Sequence, residues 1–467
     1  MGYGHPRRLK DSPAGLALTT NFEMIAAWRT KGFWAVAALA FLLRLGAFLA
    51  VDRPEGLFHS PDSEEYDQLA WNLASRGSYS LANHDPHTPD LTRTPVYPCY
   101  LASCYLLLGH WPAAAVAFQL VLGTGTCVLA VVMAGRLFGP KAGLVSGGLL
   151  ALDPLSIHYC ALLLSETLFT LIFTLSLYCL LGYARQPRLG SALATAGLSA
   201  LAVLCRPIAV FWPLVPLLLF AIYAWRQHQW RPLVHAGLFA VVVGVAVSAW
   251  VIRNQRVGGL PVLSTVQGQN LYYHRAAPIV AHEESITINE ARRRLEKRLR
   301  ENTDNRAADQ PNEYRRMERA GRDIIVASPG TYLRLHGLGL ARMFAPRKKP
   351  PPWPLTVNLL RWVEAGYLSV VYGLALVGLL ACLRGGPRLG LVFGGVVLYF
   401  AVLSGPEAYA RFRVPVMPSL VLLAGVGATA DPRSLIGSRL PAGRTQEVES
   451  RQPQAVVKAA LQDSAYP

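Results

Sequence analysis

The sequence predicts an all-helical polytopic membrane protein with about ten spans. Three observations carry that prediction. Only 16% of its 467 residues are charged, against about 25% in soluble domains. Apolar runs close to the roughly 20 residues a bilayer demands recur along the chain. Lys and Arg gather in alternate connections between those runs, as the positive-inside rule requires.

The spans fall near 33–51, 111–134, 142–161, 166–183, 190–205, 207–224, 233–252, 363–383, 390–405 and 412–430. No small-residue cleavage pattern follows the first, which therefore reads as a retained signal-anchor. Residues 1–32, with Arg7, Arg8, Lys10, Arg29 and Lys31, read as a cytoplasmic segment. Positive charge then returns at Arg136/Lys141, Arg185/Arg188, Arg226/Arg231 and Arg384/Arg388, each on the same side. Residues 431–467 form a polar cytoplasmic tail of disordered composition. One transmembrane unit thus covers 33–430, with long outer segments at 52–110 and 253–360. The first outer segment carries an amphipathic helix. In the second, Thr287 and Glu290 have capping-box spacing ahead of a charged helix. Tyr314, Met317, Ala320 and Ile324 then recur at helical spacing, as in a helix on the membrane surface or over a site.

The net charge of +17 does not indicate nucleic acid, because the basic residues form loop clusters with no stripe interleaved with aromatics. The seven cysteines show no C-x-x-C spacing, which argues against a zinc site or a disulfide framework.

On this topology the unusual polar residues reach one face. Asp62 follows the first span and Asp153 ends the third. Glu166 opens the fourth, Arg206 joins the fifth and sixth, and Arg253 leaves the seventh. Glu407, Tyr409, Arg411 and Arg413 make the last outer turn. Acids and arginines gathered at a water–lipid boundary suit a ligand with a phosphate head and a lipid tail. Arginine binds phosphate through bidentate, charge-assisted hydrogen bonds, and a carboxylate can accept a proton from an attacking hydroxyl.

Several stretches also carry a resemblance. PDSEEYDQLAWNLASRG and TRTPVYP in the first outer segment, LSETLF at 164–169, WVIRNQRVGGLPVLSTVQGQNLYY at 250–273 and ARFRVPVMP at 410–418 are similar to motifs of the GT-C membrane glycosyltransferases. The nearer likeness is to the glycosyltransferase family 39 and aminoarabinose-transferase-like group, which includes protein O-mannosyltransferases. The likeness spans roughly 35–430 and implies a GT-C-like bundle. It implies transfer of a sugar from a polyprenyl-phosphate donor, with inversion, to a lipid-linked, glycan or protein acceptor. The implied setting is the cell's inner membrane, with the site on the periplasmic or extracytoplasmic side. By the same likeness Asp62 is the general base, Glu166 the second acid, and Arg93 the contact to the lipid phosphate. Tyr97, Arg206, Arg253, Tyr272 and Arg411 are the further candidate substrate contacts. A divalent cation is compatible with this chemistry but not required by it. The chain has Asp62-Ser63 where the mannosyltransferases carry an Asp-Glu pair, and it lacks their inserted soluble sugar-binding domain. The acceptor is therefore left open.

Each candidate has a plainer reading. Asp62 suits an N-cap, and Glu64, Glu65 and Asp67 suit a solvated helix face. Arg93 could cap the helix at Pro95 or snorkel. Glu166 suits the helix dipole. Arg206 could pair structurally with Asp153 or Glu166, and Arg253, Arg411 and Arg413 suit interfacial anchors. Arg44, inside the first span, should pair internally. His59, His84 and His87 match no ligand spacing. Trp212, Trp225, Trp230, Trp250 and Trp353 read as belt residues. The rival function is a transporter or lipid flippase, although neither paired halves nor mid-membrane polar groups are evident.

Overall fold

The structure is a computed structural model, described over residues 30–51, 60–82, 88–301, 310–347 and 357–430. The N-terminal segment, the tail, His59, His84, His87 and Trp353 lie outside these residues. The described residues form helices and their connections, and the β pairing among them is an isolated bridge between Ser80 and Pro89.

Helix α1 (Lys31–Ala50) is capped by Thr30, whose hydroxyl accepts from the Phe33 N–H. The first outer segment holds α2 (Pro61–Arg76), which Gly77 ends at φ +65, a conformation that disfavours a side chain. Then follow α3 (Val96–Leu108), α4 (Pro112–Phe138), α5 (Pro140–Ala151) and α6 (Pro154–Cys160). Helices α7 (Glu166–Arg185), α8 (Leu189–Cys205), α9 (Leu214–Gln227) and α10 (Arg231–Gly258) continue the bundle. The second outer segment contains α11 (Val266–Gln269), a π turn (Asn270–Ala276), α12 (Ala277–Glu283), α13 (Ile288–Glu301), α14 (Gln310–Ala327) and α15 (Pro329–Phe344). Helices α16 (Val357–Gly385) and α17 (Pro387–Ser404), a 3-10 segment (Ala410–Val416) and α18 (Met417–Thr429) complete it.

Seven helices among the described residues are long and apolar enough to cross a membrane. The expected spans at 190–205 and 390–405 are shorter apolar helices. The one at 142–161 is broken, because Asp153-Pro154 ends α5 and starts α6. Pro154 has no N–H to continue the ladder, and the buried Asp153 carboxylate caps the new helix at Ser156 N, 3.0 Å away.

Small residues let the helices approach closely, the usual device where lipid removes any hydrophobic drive between them. A Cβ on Gly143 of α5 would lie 2.6 Å from the Val131 carbonyl of α4, and one on Gly425 of α18 would lie 2.6 Å from the Ala142 carbonyl of α5. Helix α10 is largely exposed, as befits a lipid-facing element. Arg44 is buried in α1 and donates to the Ala40 carbonyl at 3.0 Å, so it pairs internally with backbone. Trp212 is a correction to the belt reading. It is buried, and its indole N–H donates to Ser176 at 2.9 Å. Trp225 and Trp230 are exposed.

The second outer segment folds on its own small core. Thr287 accepts the Glu290 N–H, as the capping spacing predicts. Helix α13 is solvated on its charged face only, since Ala291, Leu295 and Leu299 pack against Tyr272, Val280 and Met317. Met317, Ala320 and Ile324 of α14 turn toward this core, and Ser328-Pro329 separates α14 from α15. The segment is tied to the turn after α17. Arg275 donates to the Leu403 carbonyl at 2.6 Å, while Arg292 and His274 both meet Glu407.

Replacing Gly425 by Leu should cost about 1–3 kcal/mol by overpacking the α5–α18 contact. Gly244→Leu on α10, where a Cβ meets nothing within 4 Å, should be neutral. Thermal midpoints of the detergent-solubilised proteins check both.

Candidate functional site

Five chain segments meet where the first outer segment covers the bundle. Pro61 sits at the first position of α2, where its missing N–H is not needed, and this sets Asp62 in the first turn. Ser60, not Asp62, is the N-cap residue, which leaves the Asp62 carboxylate for other partners. Its Oδ1 accepts from Arg93 Nη2 at 2.6 Å and its Oδ2 from Arg411 Nη1 at 2.8 Å. Arg93 Nε also donates to Glu65 Oε2 at 2.8 Å. Arg411 Nε and Arg206 Nη1 both donate to Glu166 Oε1. The result is an unbroken alternation: Glu65, Arg93, Asp62, Arg411, Glu166, Arg206. Three carboxylates face three guanidiniums, so the network is neutral overall.

Exposure is graded along it. The Asp62 side chain is 31% exposed and that of Glu166 only 1%. Glu166 Oε2 is buried with no hydrogen-bond partner. Aromatic rings line the arginines: Arg93 lies over Tyr66 at 4.9 Å, Arg411 over Tyr159 at 5.9 Å and Arg206 over Phe169 at 5.9 Å. Burial alone would raise the Asp62 carboxyl, but Arg93 and Arg411 outweigh it and hold its pKa down at about 2. It is a carboxylate at neutral pH, and a weak base while both arginines remain on it.

The loop that presents Arg93 is fixed from several sides. The Asp90 carboxylate accepts the N–H groups of Thr92 (3.1 Å) and Arg93 (2.8 Å). Burial raises the Asp90 carboxyl, against the pull of those N–H bonds. Thr94 donates to the Cys205 carbonyl at 3.0 Å, which ties the loop to the residue before Arg206. Arg253 donates to the Asp90 carbonyl at 2.6 Å and lies over Tyr79 and Trp250. It clamps this loop and is outside the charged network. The hydroxyl of Tyr97 is buried and donates to Gln119 at 2.8 Å, and its ring packs edge-on against Tyr66. The hydroxyl of Tyr272 donates to the Leu295 carbonyl at 2.9 Å, inside the second core. The network therefore gathers Asp62, Arg93, Glu166, Arg206 and Arg411, and Arg253, Tyr97 and Tyr272 bond elsewhere.

Other expectations are corrected. Glu65 belongs to the network. Asp67 accepts from Tyr105 at 2.5 Å and meets His110 Nε2 at 3.1 Å, so neither acid forms a simple solvated face. Arg413 is no interfacial anchor. It is fully buried and donates to Glu364 at 2.7 Å and to the Ala345 carbonyl at 2.9 Å. Arg347 reaches the other oxygen of Glu364 at 3.1 Å. Glu364 is the only acid in 361–385, and a lone carboxylate in an apolar run was the available signal for it. Among the described residues no three His, Cys, Asp or Glu side chains cluster as metal ligands. Every carboxylate of the network already faces a guanidinium, an arrangement poorly suited to a cation.

The chain resembles known proteins. Residues 92–251 match the family model of dolichyl-phosphate-mannose-protein mannosyltransferases. That stretch includes Arg93, Glu166 and Arg206, while Asp62 and Arg411 lie outside it. No curated protein matches the chain. Among solved structures, ArnT from Cupriavidus metallidurans bound to undecaprenyl phosphate aligns at 15% identity and TM-score 0.46, covering 91% of this chain and 62% of that one. The apo oligosaccharyltransferase of Archaeoglobus fulgidus aligns at 14% identity and TM-score 0.43, covering 85% and 50%. The chain thus spans less than two thirds of the length of either.

Glu364→Gln should destabilise the protein by about 3–5 kcal/mol, because it strips the partner from a buried guanidinium. Glu65→Gln, at a half-exposed site, should cost under about 1 kcal/mol. Thermal unfolding in detergent distinguishes them.

Proposed function

We propose that this protein is an integral-membrane glycosyltransferase that moves a sugar from a polyprenyl-phosphate donor to an acceptor on the non-cytoplasmic side, with inversion. The observation that carries the reading is the convergence of alternating acids and arginines from five chain segments at one end of the bundle. The match to a family model named for a lipid-phosphate sugar donor supports it. The ArnT structure that aligns holds undecaprenyl phosphate, a lipid of the class proposed here.

In this reading the donor phosphate competes with Asp62 for Arg93 and Arg411, since guanidinium binds phosphate and carboxylate with the same fork. Once the arginines turn to the phosphate, Asp62 loses the attraction that holds it near pKa 2 and becomes a stronger base. An acceptor hydroxyl then gives its proton to Asp62 while its oxygen attacks the anomeric carbon. The bond from that carbon to the phosphate oxygen breaks, and its electron pair leaves with the phosphate, facing the arginines. A phosphate is already a stable anion, so no general acid is required. Attack opposite the leaving group inverts the carbon. Glu166 keeps Arg206 and Arg411 oriented. General-base catalysis supplies about 10²–10⁴ in rate; electrostatic stabilisation and positioning supply the rest.

Asp62→Asn tests the assignment. Each arginine retains a carboxylate, Arg93 on Glu65 and Arg411 on Glu166, so the variant should insert and fold. Transfer from a panel of polyprenyl-phosphate sugars should fall by about 10²–10⁴. Near-normal turnover would sink the base assignment. Uptake of substrate into vesicles with no covalent product would point to a transporter.

The pH profile gives a second check. Asp62 has a depressed pKa, so its ionised form persists above about 2 and is lost only as pH falls through that value. The kcat/KM of the wild type should show no acid limb from Asp62 above about pH 4. Arg411→Gln should shift such a limb upward toward the ordinary carboxylate range.

A further inference from the structure

The far end of the bundle holds a second site. Helix α7 begins at Glu166, in the charged network, and ends at Arg185, twenty residues and about 30 Å away. Beside Arg185 lies a cavity of about 260 Å³ between α4, α7 and the start of α8, lined by Arg136, Tyr178, Gly182, Arg185, Arg188 and Ser191 among others. Three arginines line one small cavity, and among the described residues no Asp or Glu does. Arg136 lies over the Tyr178 ring at 5.6 Å and bonds its hydroxyl, and Arg185 donates to the Arg136 carbonyl at 3.0 Å, which covers an exposed carbonyl at the end of α4. Helix α8 starts at Leu189 with its N-terminus toward the cavity, and Ser191 in its first turn is part of the lining. Helix α8 thus adds partial positive charge and unpaired N–H groups to the three arginines.

We propose that this cavity binds a phosphate group, carried by an anionic lipid of the leaflet opposite the charged network. Topogenic positive charge explains the presence of basic residues at this boundary. It does not explain their convergence on a cavity with a hydroxyl and a helix N-terminus in its wall and no acid among its described lining. Arg226 and Arg231 lie at the same boundary, are exposed like Arg185 and Arg188, and are not part of this cavity's lining, so they supply an internal comparison. Met133, Leu137 and Leu181 also line the cavity, which puts apolar surface for acyl chains beside a phosphate seated there. The inference does not depend on the reading of the distant site.

Native mass spectrometry of the full chain, titrated with phosphatidylglycerol and with phosphatidylcholine, tests the proposal. The wild type should retain phosphatidylglycerol preferentially. Arg185→Gln combined with Arg188→Gln should weaken retention about ten-fold or more, whereas Arg226→Gln combined with Arg231→Gln should not. Gly182→Leu keeps every charge but fills the cavity. A Cβ there meets nothing within 4 Å, so the variant should fold and should lose retention equally. Displacement of the lipid by millimolar inorganic phosphate would assign the cavity to a soluble phosphate and overturn the lipid source. Resistance to it supports a lipid. Equal loss in the control pair, or unchanged retention in Gly182→Leu, would overturn the site.

Discussion

The guanidinium of Arg411 is the interaction on which the site depends. One side of it holds Asp62 of the first outer segment and the other holds Glu166 at the head of α7. Without it the network would fall into two unconnected parts, Glu65 with Arg93 and Asp62, and Glu166 with Arg206. At Asp62 burial raises the carboxyl, and the two guanidiniums more than offset it. The arginines therefore hold Asp62 ionised but weakly basic until a ligand draws them away.

That requirement explains how much structure is devoted to holding arginines still. Arg93 sits on a loop bound through its neighbours to Asp90, Cys205 and the residues before α11. Arg206 caps α8 ahead of a proline. Arg411 stands on a 3-10 turn whose other flank is fastened by Arg413 to Glu364 and to backbone carbonyls. The second outer segment bonds the stretch just before that turn, through Arg275 to Leu403 and Arg292 to Glu407. Preorganised charge of this kind needs little rearrangement when a ligand replaces one partner by another.

Much of this could be read from the sequence, and the limits have a physical origin. The depth of Asp62, Glu166 and Arg206 follows from their place beside apolar runs, because hydropathy and Lys/Arg bias fix position along the membrane normal. Lateral position depends on which helices pack, and one sequence does not state it. Arg253 and Tyr272 stand in motif-like stretches on the expected face, yet one clamps a loop and the other fills a separate core. Glu65 looked like one more acid in an acidic helix, since nothing local reveals that Arg93 would bond it from 28 residues away. The break at Asp153-Pro154 was visible as a proline, but the apolar run around it suggested a continuous span. Arg413 and Arg411 differ by two positions and have opposite surroundings, which only the turn geometry separates.

The spacing of these two arginines limits what this chain can tolerate. A 3-10 helix turns by about 120° per residue, so Arg411 and Arg413 leave its axis in different directions. Their separation works as a phase relation: one face of the rod is wired to the network, another to the interior acid of α16. A single residue inserted or deleted between Arg411 and Arg413 would turn one by about 120° against the other and take it off its acid. Drift in length is closed to this segment, most of which is buried although it connects two helices.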